Sequence, residues 1–137
     1  MRVRDAMTKV VLTIGPDHTL RQAASLMSQR RVGAAVVIDP DSAGIGIITE
    51  RDLMESIGAG DDPDVERASA HLTRDLVFAG PDWTLEEAAT AMVRGGFRHL
   101  IVMDNDEVAG ILSVRDIVRV WAQERTQQSL SSPAARG

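Results

Sequence analysis

Two segments of the sequence place a hydroxyl and a carboxylate three residues apart, each just ahead of an apolar run with helical spacing. Thr49 precedes Asp52 in GIITERDLMESI, and Ser113 precedes Asp116 in GILSVRDIVRVW. A Ser or Thr followed three residues later by an acid has the spacing of a helix capping box. A helix start also presents free N–H groups and the positive end of the helix dipole, which bind anions. The same residues could therefore begin a helix or bind a nucleotide, with the carboxylate on the ribose and the hydroxyl on a phosphate.

The neighbouring side chains bear on this choice without deciding it. Aspartate is shorter than the Glu or Gln that usually completes a capping box, so we expect both carboxylates to accept hydrogen bonds from a group outside the helix. Arg51 and Arg115, in the first helical turn, are either partners of a bound phosphate or surface charges that pair with nearby acids. The dipole disfavours a cation at this end of a helix unless an anion joins it.

Composition excludes several classes of function. The 137-residue chain has no cysteine, which excludes disulfides, thiolate metal sites and cysteine nucleophiles. Its formal net charge of −5 argues against a general nucleic-acid-binding protein. No apolar run approaches the roughly 20 residues of a membrane span, and the N-terminal residues lack the apolar region of a secretory signal. We therefore predict a soluble, cytoplasmic protein that binds neither nucleic acid nor membrane.

The sequence consists largely of two copies of one unit. TIGPDHTLRQAASLM aligns with FAGPDWTLEEAATAM, and the alignment continues through AAVVID and HLIVMD. The turn that follows is one residue longer in the first copy, where a fold tolerates an insertion. Each copy predicts a strand, an amphipathic helix, a β-hairpin and a second helix. Thr19 with Gln22, and Thr84 with Glu87, have capping-box spacing at the first of these helices.

The predicted domain boundaries follow from the repeat. The first unit covers residues 1–58 and the second covers residues 68–124. Residues 59–67, which are acidic and contain Gly and Pro, are predicted to be a linker with at most one helical turn. Residues 125–137 lack an apolar period and are predicted to be disordered.

These features together resemble a tandem pair of cystathionine-β-synthase (CBS) domains, the Bateman module, over roughly residues 1–124. The matching phrases are VRDAMT near the N-terminus, the helix starts GPDHTL and GPDWTL, and the Gly-apolar-apolar-Thr/Ser-x-x-Asp run that closes each unit. Each phrase alone is weak, but their order and repetition are specific. The resemblance implies an α/β fold of two β-α-β-β-α units packed about a pseudo-twofold axis. It also implies clefts between the units that commonly bind adenine nucleotides or related adenosyl ligands.

The resemblance assigns a role to each hydroxyl–carboxylate pair. Thr49 and Asp52 match the ligand-binding hydroxyl and the ribose-binding carboxylate of one cleft. Ser113 and Asp116 match the same two groups of the other cleft. On this view, both aspartates are ligand-binding residues rather than only the starts of helices.

The basic residues are not distributed equally between the two units. The family often contacts phosphate from the start of the second strand, where the second unit has Arg98 and His99 and the first has only Gly33–Ala34. The two sites are therefore not expected to be equivalent, although Arg98 could instead be a solvated charge at a strand edge. We expect no metal site, because His18, His71 and His99 are scattered and no second ligand falls at zinc spacing.

The expected function is that of a stand-alone regulatory module that senses an AMP-like or ATP-like nucleotide, or S-adenosylmethionine, with no required cofactor. The sequence shows no P-loop, nucleophile elbow or metal-spaced histidine cluster, so we expect no enzymatic activity. The alternative is a structural dimerisation module whose clefts are vestigial. A sensor without an attached catalytic or transport domain needs a client on a separate protein. Residue types identify neither that client, nor the ligand, nor the competent cleft.

We also expect the chain to form a homodimer. The predicted amphipathic helices carry more apolar surface than a thin two-unit core can bury, and the family commonly pairs its modules into a flat disc. An isologous twofold dimer is the expected arrangement. The apolar residues concerned are Leu26, Met27, Leu53, Met54, Val93, Ile117, Val118 and Trp121.

Overall fold

The computed structural model describes residues 1–42 and 44–131 of the chain. It has the predicted α/β class, with the β-α-β-β-α order in each half of the chain. A 3₁₀ turn at Ala68–Ala70 lies between the two halves. In chain order the helices and strands are α1 (Val3–Ala6), β1 (Thr13–Ile14), α2 (Leu20–Arg30), β2 (Ala34–Asp39), β3 (Gly44–Thr49), α3 (Glu50–Gly58), β4 (Phe78–Ala79), α4 (Leu85–Gly95), β5 (His99–Asp104), β6 (Glu107–Ser113) and α5 (Val114–Ser131).

The capping boxes predicted at α2 and α4 are present. Thr19 Oγ1 accepts a hydrogen bond of 3.1 Å from the Gln22 N–H, and Thr84 Oγ1 accepts one of 3.1 Å from the Glu87 N–H. In return, the side chains of Gln22 and Glu87 accept from the backbone N–H groups of Thr19 and Thr84. Each box satisfies two backbone donors that have no partner within the helix.

Each half of the chain contains one three-stranded sheet with the hairpin strands predicted from the sequence. In the first sheet β1 is parallel to β2, and β2 is antiparallel to β3, with Ala34 opposite Thr49. The second sheet repeats this arrangement in β4, β5 and β6, with His99 opposite Ser113. This register places the first residue of each central strand beside the hydroxyl residue that begins the next helix.

The two compact units of the structure are not the two halves predicted from the sequence. The continuous unit is Val10–Leu76, and the discontinuous unit combines Met1–Lys9 with the chain from Val77 onward. Residues 1–9, which the repeat assigned to the first unit, therefore fold with the second repeat. The predicted linker, residues 59–67, is part of the continuous unit.

Backbone pairing explains why the N-terminal segment belongs to the discontinuous unit. The Val3 N–H donates a hydrogen bond of 2.8 Å to the Trp83 carbonyl. Thr8 and Ile111 exchange two backbone hydrogen bonds of 2.9 and 3.0 Å. Val3 and Ala6 are buried in the core of this unit. The segment is therefore held by both apolar burial and strand-like pairing.

The predicted linker folds against the start of α2. The Leu20 N–H donates to the Glu66 carbonyl at 2.9 Å, and the Arg21 N–H donates to the Pro63 carbonyl at 3.0 Å. The Arg21 guanidinium also pairs with the Asp64 carboxylate, whose hydrogen bond and charge raise the pKa of Arg21 above its ordinary value. The segment thus satisfies backbone donors that the helix itself leaves unpaired.

Two glycines of the repeated phrase give each unit room for a neighbouring segment. A Cβ on Gly110 would lie 2.7 Å from the Thr8 carbonyl oxygen. A Cβ on Gly46 would lie 2.6 Å from Leu72 Cδ1 and 3.0 Å from the Thr73 carbonyl oxygen. Only a residue without a side chain allows the backbone to approach this closely. The glycine in each copy of the phrase is therefore explained by packing.

Helix α5 continues further than the sequence predicted. It runs to Ser131 and so includes residues 125–131 of the segment predicted to be disordered. The Arg125 guanidinium carbon lies 5.4 Å from the centre of the Trp121 ring, one helical turn earlier. The rest of the predicted tail, residues 132–137, lies outside the described residues. Within the described part of the chain, no helix combines the length and apolarity needed to cross a membrane.

The apolar residues expected at a dimer interface divide between core and surface. Met27 is 3% exposed in the core of the continuous unit, so its assignment to a dimer interface is wrong. Leu26, Leu53 and Ile117 are half-buried and pack against the cores. Four of the residues remain exposed, namely Met54, Val93, Val118 and Trp121.

Candidate functional site

The start of α3 is a complete capping box built from Thr49 and Asp52. The N–H and Oγ1 of Thr49 donate to Asp52 Oδ2 at 2.8 and 3.0 Å, and the Asp52 N–H donates to Thr49 Oγ1 at 3.3 Å. The shorter aspartate thus completes the capping box as Glu or Gln usually does, and hydrogen bonding of its carboxylate to a group outside the helix stays a prediction. The box uses only one oxygen of the half-buried carboxylate, and no described residue hydrogen-bonds to Asp52 Oδ1.

The start of α5 has the same box but a different environment. The Ser113 N–H donates to Asp116 Oδ2 at 2.9 Å, and the Asp116 N–H donates to Ser113 Oγ at 3.0 Å. Asp116 Oδ1 accepts a hydrogen bond of 2.9 Å from Arg119 Nη1, and Arg119 Nη2 donates to the Ala6 carbonyl at 3.1 Å. Asp116 is 6% exposed. Both oxygens of this buried carboxylate are therefore already hydrogen-bonded.

The first backbone donors of both helices also have partners. The Glu50 N–H donates to the Gly33 carbonyl at 3.0 Å, and the Val114 N–H donates to the Arg98 carbonyl at 2.9 Å. Together with the capping boxes, these bonds occupy two N–H groups in the first turn of each helix. Each helix start is therefore less available to an anion than the sequence suggests.

The basic residues assigned from the sequence gather at the start of α5. His99 is half-buried and lies opposite Ser113 in the β5–β6 pair. Arg98 directly precedes His99, and Arg115 follows Ser113 by two residues. Both arginines are exposed. The structure thus brings Arg98, His99 and Arg115 to the same end of the discontinuous unit as Asp116.

The start of α3 has fewer of these positive charges. Ala34 lies opposite Thr49, and Gly33 contributes only its backbone carbonyl to the helix start. Of the cations assigned from the sequence, Arg51 alone belongs to this helix start, and it is exposed. The starts of α3 and α5 therefore differ in local charge. They also differ in whether both carboxylate oxygens of the aspartate already have hydrogen-bond partners.

A pocket that the sequence did not predict lies beside Asp52 in the continuous unit. Ser56 is 4% exposed, and its Oγ donates a hydrogen bond of 2.8 Å to Asp61 Oδ2 at the pocket. The pocket is acidic, because three of its lining residues are carboxylates and none is Lys or Arg. Its volume is about 230 Å³, and it is lined by Asp52, Glu55, Ser56, Ala59, Asp61 and His71.

Asp61 and His71 of this pocket also lie close to Glu66. His71 Nε2 is 3.1 Å from Glu66 Oε2. One possible metal-ligating atom from each of the three residues lies within 4.8 Å of the others. The prediction that His71 lies apart from any second ligand is therefore wrong. The signal that could have revealed this cluster is the acid-rich run that ends in the histidine, GDDPDVERASAH.

The internal repeat shows how the surroundings of the two aspartates diverge. When Asp52 is aligned with Asp116, Glu55 aligns with Arg119. The position that provides a cation to the carboxylate in one unit therefore provides a second acid in the other. This reversal of charge is the main chemical difference between the two helix starts.

Comparisons with known proteins agree with the fold and the repeat. The CBS domain family model matches residues 3–59 and 68–123. An uncharacterized 17.7 kDa protein of Acidianus ambivalens is 34% identical over 129 residues, which cover 93% of this chain and 77% of that protein. The crystal structure of the CBS-domain-containing protein ATU1752 of Agrobacterium tumefaciens is similar, with a TM-score of 0.80 and 31% identity over 88% of this chain and 99% of that one.

A second solved structure contains bound ligands. The CBS domain pair of protein MJ0100, in complex with 5′-methylthioadenosine and S-adenosyl-L-methionine, has a TM-score of 0.81 to this chain. The two are 21% identical, and the match covers 90% of this chain and 98% of MJ0100. At this identity the likeness concerns the fold. The two three-stranded sheets, the repeated capping boxes and the two family matches together show that the chain belongs to the CBS domain family and contains two copies of the domain.

Proposed function

We propose that the chain is a regulatory module that binds an adenosyl ligand without converting it, and that Asp52 binds the ribose. The observation that carries this proposal is that the two oxygens of the Asp52 carboxylate have different environments. Oδ2 closes the capping box with Thr49, whereas Oδ1 has no hydrogen-bond partner among the described residues. A ribose hydroxyl can donate to Oδ1 without disturbing the start of the helix. The capping and binding interpretations are therefore compatible at this residue.

Asp116 is less suited to the same role. Its two oxygens already accept hydrogen bonds from Ser113 and Arg119, and the residue is 6% exposed. A ligand would have to displace a charge-assisted hydrogen bond to reach this carboxylate. We therefore assign ribose binding to Asp52 and a structural role to Asp116.

The charges around Asp52 favour certain adenosyl ligands. Glu55 and Asp61 line the adjacent pocket, so a triphosphate at this position would meet several like charges. S-Adenosylmethionine carries a positive sulfonium, and 5′-methylthioadenosine is uncharged. Both ligands are present in the similar structure of MJ0100, which supports this class. We propose them ahead of AMP or ATP for the site at Asp52.

Phosphate-bearing nucleotides have a better match at the start of α5. Arg98 and Arg115 are exposed there, and His99 lies opposite Ser113. These groups could bind a phosphate even with Asp116 held by Arg119. AMP or ATP at this end is the second candidate.

The module would act by regulating a client protein, and it would do so as a homodimer. Exposed apolar side chains on three helices, including Met54, Val93 and Trp121, support self-association. The net charge of −5 supports the proposal that the chain does not bind nucleic acid; its cytoplasmic location remains a prediction. Light scattering tests the dimer, and a monomer mass at protein concentrations of tens of micromolar would contradict it.

A ligand panel tests the proposed function. S-Adenosylmethionine, 5′-methylthioadenosine, AMP and ATP are each added to the purified chain, and the melting temperature is recorded. A ligand at about 100 times its dissociation constant stabilises the native state by about 2.7 kcal/mol, which raises the melting temperature by several degrees. Chromatography of the recovered ligand should show no conversion. No shift with any ligand would favour the dimerisation module with vestigial clefts, whereas a converted ligand would indicate an enzyme.

A further inference from the structure

We propose that Asp61, Glu66 and His71 bind one divalent transition-metal ion, represented by Zn²⁺, in the continuous unit. The three residues offer two carboxylate oxygens and one imidazole nitrogen within 4.8 Å of one another, and all are half-buried. Zn²⁺ accepts this mixed set of ligands, whereas Mg²⁺ and Ca²⁺ prefer oxygen ligands alone. This site goes beyond the proposed adenosyl site, and its test needs no adenosyl ligand.

Backbone hydrogen bonds hold all three ligands in place, and the Glu66 N–H donates to the Asp62 carbonyl at 2.9 Å. The Asp61 N–H donates to the Ser56 carbonyl at 3.1 Å, and the His71 N–H donates to the Ala68 carbonyl at 3.0 Å. The buried Ser56 hydroxyl also donates to Asp61 Oδ2 at 2.8 Å. A hydrogen bond of this kind orients a carboxylate and leaves its other oxygen for an ion. The site is therefore organised before the ion binds.

The separation of His71 and Glu66 suits a shared ion. His71 Nε2 and Glu66 Oε2 are 3.1 Å apart. Two ligands of a tetrahedral ion with bonds of about 2.0–2.1 Å lie roughly 3.3 Å apart. The two atoms can therefore bind one Zn²⁺ after a small outward movement. Three protein ligands leave a fourth position for water, which the adjoining pocket can hold.

The charge balance of the two units supports a cation at this place. In the discontinuous unit, Arg119 supplies a positive charge to Asp116. In the continuous unit, Glu55 occupies the corresponding position, so that Asp52 lies beside a further acid. The pocket that Asp52 and Glu55 share with Asp61 has no Lys or Arg in its lining. A bound metal ion would provide the positive charge that the other unit obtains from its own arginine.

An ordinary ion pair between His71 and Glu66 is the competing explanation, and it predicts no metal binding. Calorimetric titration of the full-length, tag-free chain with Zn²⁺ at neutral pH distinguishes the two. We expect one ion per chain, with affinity lowered at least about tenfold in His71→Ala and in Glu66→Gln. The matched controls are His18→Asn and Asp62→Asn, which remove a histidine and a nearby carboxylate outside the cluster. Both controls should retain the affinity of the unaltered chain.

Circular dichroism in the presence of a chelator establishes that each variant is folded. If His71→Ala does not fold, Glu66→Gln decides by the same criterion. The proposal is overturned if Zn²⁺ produces no saturable binding at millimolar concentration. It is also overturned if the folded cluster variants bind Zn²⁺ as tightly as the unaltered chain, because the ion would then lie elsewhere.

Discussion

Arg119 Nη1 lies 2.9 Å from Asp116 Oδ1 and holds that carboxylate within the discontinuous unit. In the continuous unit, Glu55 occupies the corresponding position relative to Asp52. The same Thr/Ser-x-x-Asp phrase therefore produces a carboxylate with two occupied oxygens in one unit and a partly open carboxylate in the other.

Replacing Asp52 with Asn should weaken adenosyl-ligand binding without unfolding the chain. Loss of a charge-assisted hydrogen bond of about 1.5–3 kcal/mol lowers affinity about tenfold or more. The lost cap should cost at most about 1 kcal/mol of stability. Calorimetry gives the affinity and urea unfolding gives the stability, with Glu50→Gln on the first residue of α3 as the charge-matched control. Unchanged affinity in Asp52→Asn would mean that the residue only begins the helix.

Replacing Arg119 with Met should destabilise the discontinuous unit. The buried Asp116 carboxylate loses its cation, while the aliphatic part of the side chain is largely retained. The expected loss is about 1–2 kcal/mol, since the Arg119 side chain is 52% exposed and solvent screens part of the interaction. Urea unfolding measures the loss. Arg115→Met, at an exposed position of the same helix, should change stability by less than about 0.5 kcal/mol. Equal losses in the two variants would argue against the proposed role of Arg119.

Replacing Glu55 with Arg should give the Asp52 carboxylate an arginine partner at the start of α3, as Arg119 does for Asp116 at the start of α5. The new guanidinium is expected to pair with Asp52 Oδ1 and to compete with the ribose for it. Adenosyl-ligand affinity should fall about tenfold, as measured by calorimetry. Glu107→Arg, which makes the same charge change at an exposed position in the other unit, is the control. An equal fall in both variants would indicate a general charge effect.

Replacing Gly110 with Ala should loosen the N-terminal segment. The added Cβ would lie 2.7 Å from the Thr8 carbonyl oxygen, so either β6 or the segment must move. Such overpacking costs about 1–3 kcal/mol. Hydrogen exchange at the Val3 and Thr8 amides should accelerate, and the melting temperature should fall. Gly58→Ala, whose Cβ would meet no atom within 4 Å, is the matched control and should not lower stability.

The hairpin turn after β2 should make a small pH-dependent contribution to stability. The Asp41 N–H and the Ser42 hydroxyl donate to the Asp39 carboxylate at 3.0 Å each, and these bonds lower the pKa of Asp39 below its ordinary value of 3.8. A lowered pKa stabilises the folded state above the unfolded value, and the contribution is lost as pH falls through the folded value. The stability difference between the unaltered chain and Asp39→Asn should therefore shrink below about pH 4. Urea unfolding at several pH values measures it, and a difference that grows on acidification would contradict this account.

Local patterns predicted much of the fold. The predicted strands AAVVID and HLIVMD correspond to β2 (Ala34–Asp39) and β5 (His99–Asp104), because a short apolar run between turns determines both ends of a strand. The partner of residues 1–9 could not be predicted in this way. Val3 and Thr8 contact residues of the second repeat, and no local period reports pairing across such a sequence distance.

The candidate site could be predicted only in part. The repeat selected Thr49 and Asp52 as candidate ligand-binding residues. Whether Asp52 Oδ1 has a partner depends on the side chain one turn later, which is Glu55 here and Arg119 in the other unit, and the Thr/Ser-x-x-Asp motif does not include that position. The acidic pocket was missed because it combines one face of α3 with His71, which follows an acidic segment that looked like a linker. Composition alone could not distinguish a solvated connection from a segment whose carbonyls pair with the start of α2.

The pairing of the N-terminal segment also orders the events of folding. On the ribosome, Val10–Leu76 can assemble while the partner of the preceding residues has yet to be synthesised. The hydrogen bond from Arg119 to the Ala6 carbonyl cannot form until Arg119, 113 positions later in the chain, has been synthesised. Closing so long a loop is entropically costly and delays the contacts that it forms. We therefore expect that residues 1–9 are among the last of the described residues to be buried, although they precede their partners in the chain, and that docking of this segment is the slow step in completing the native state.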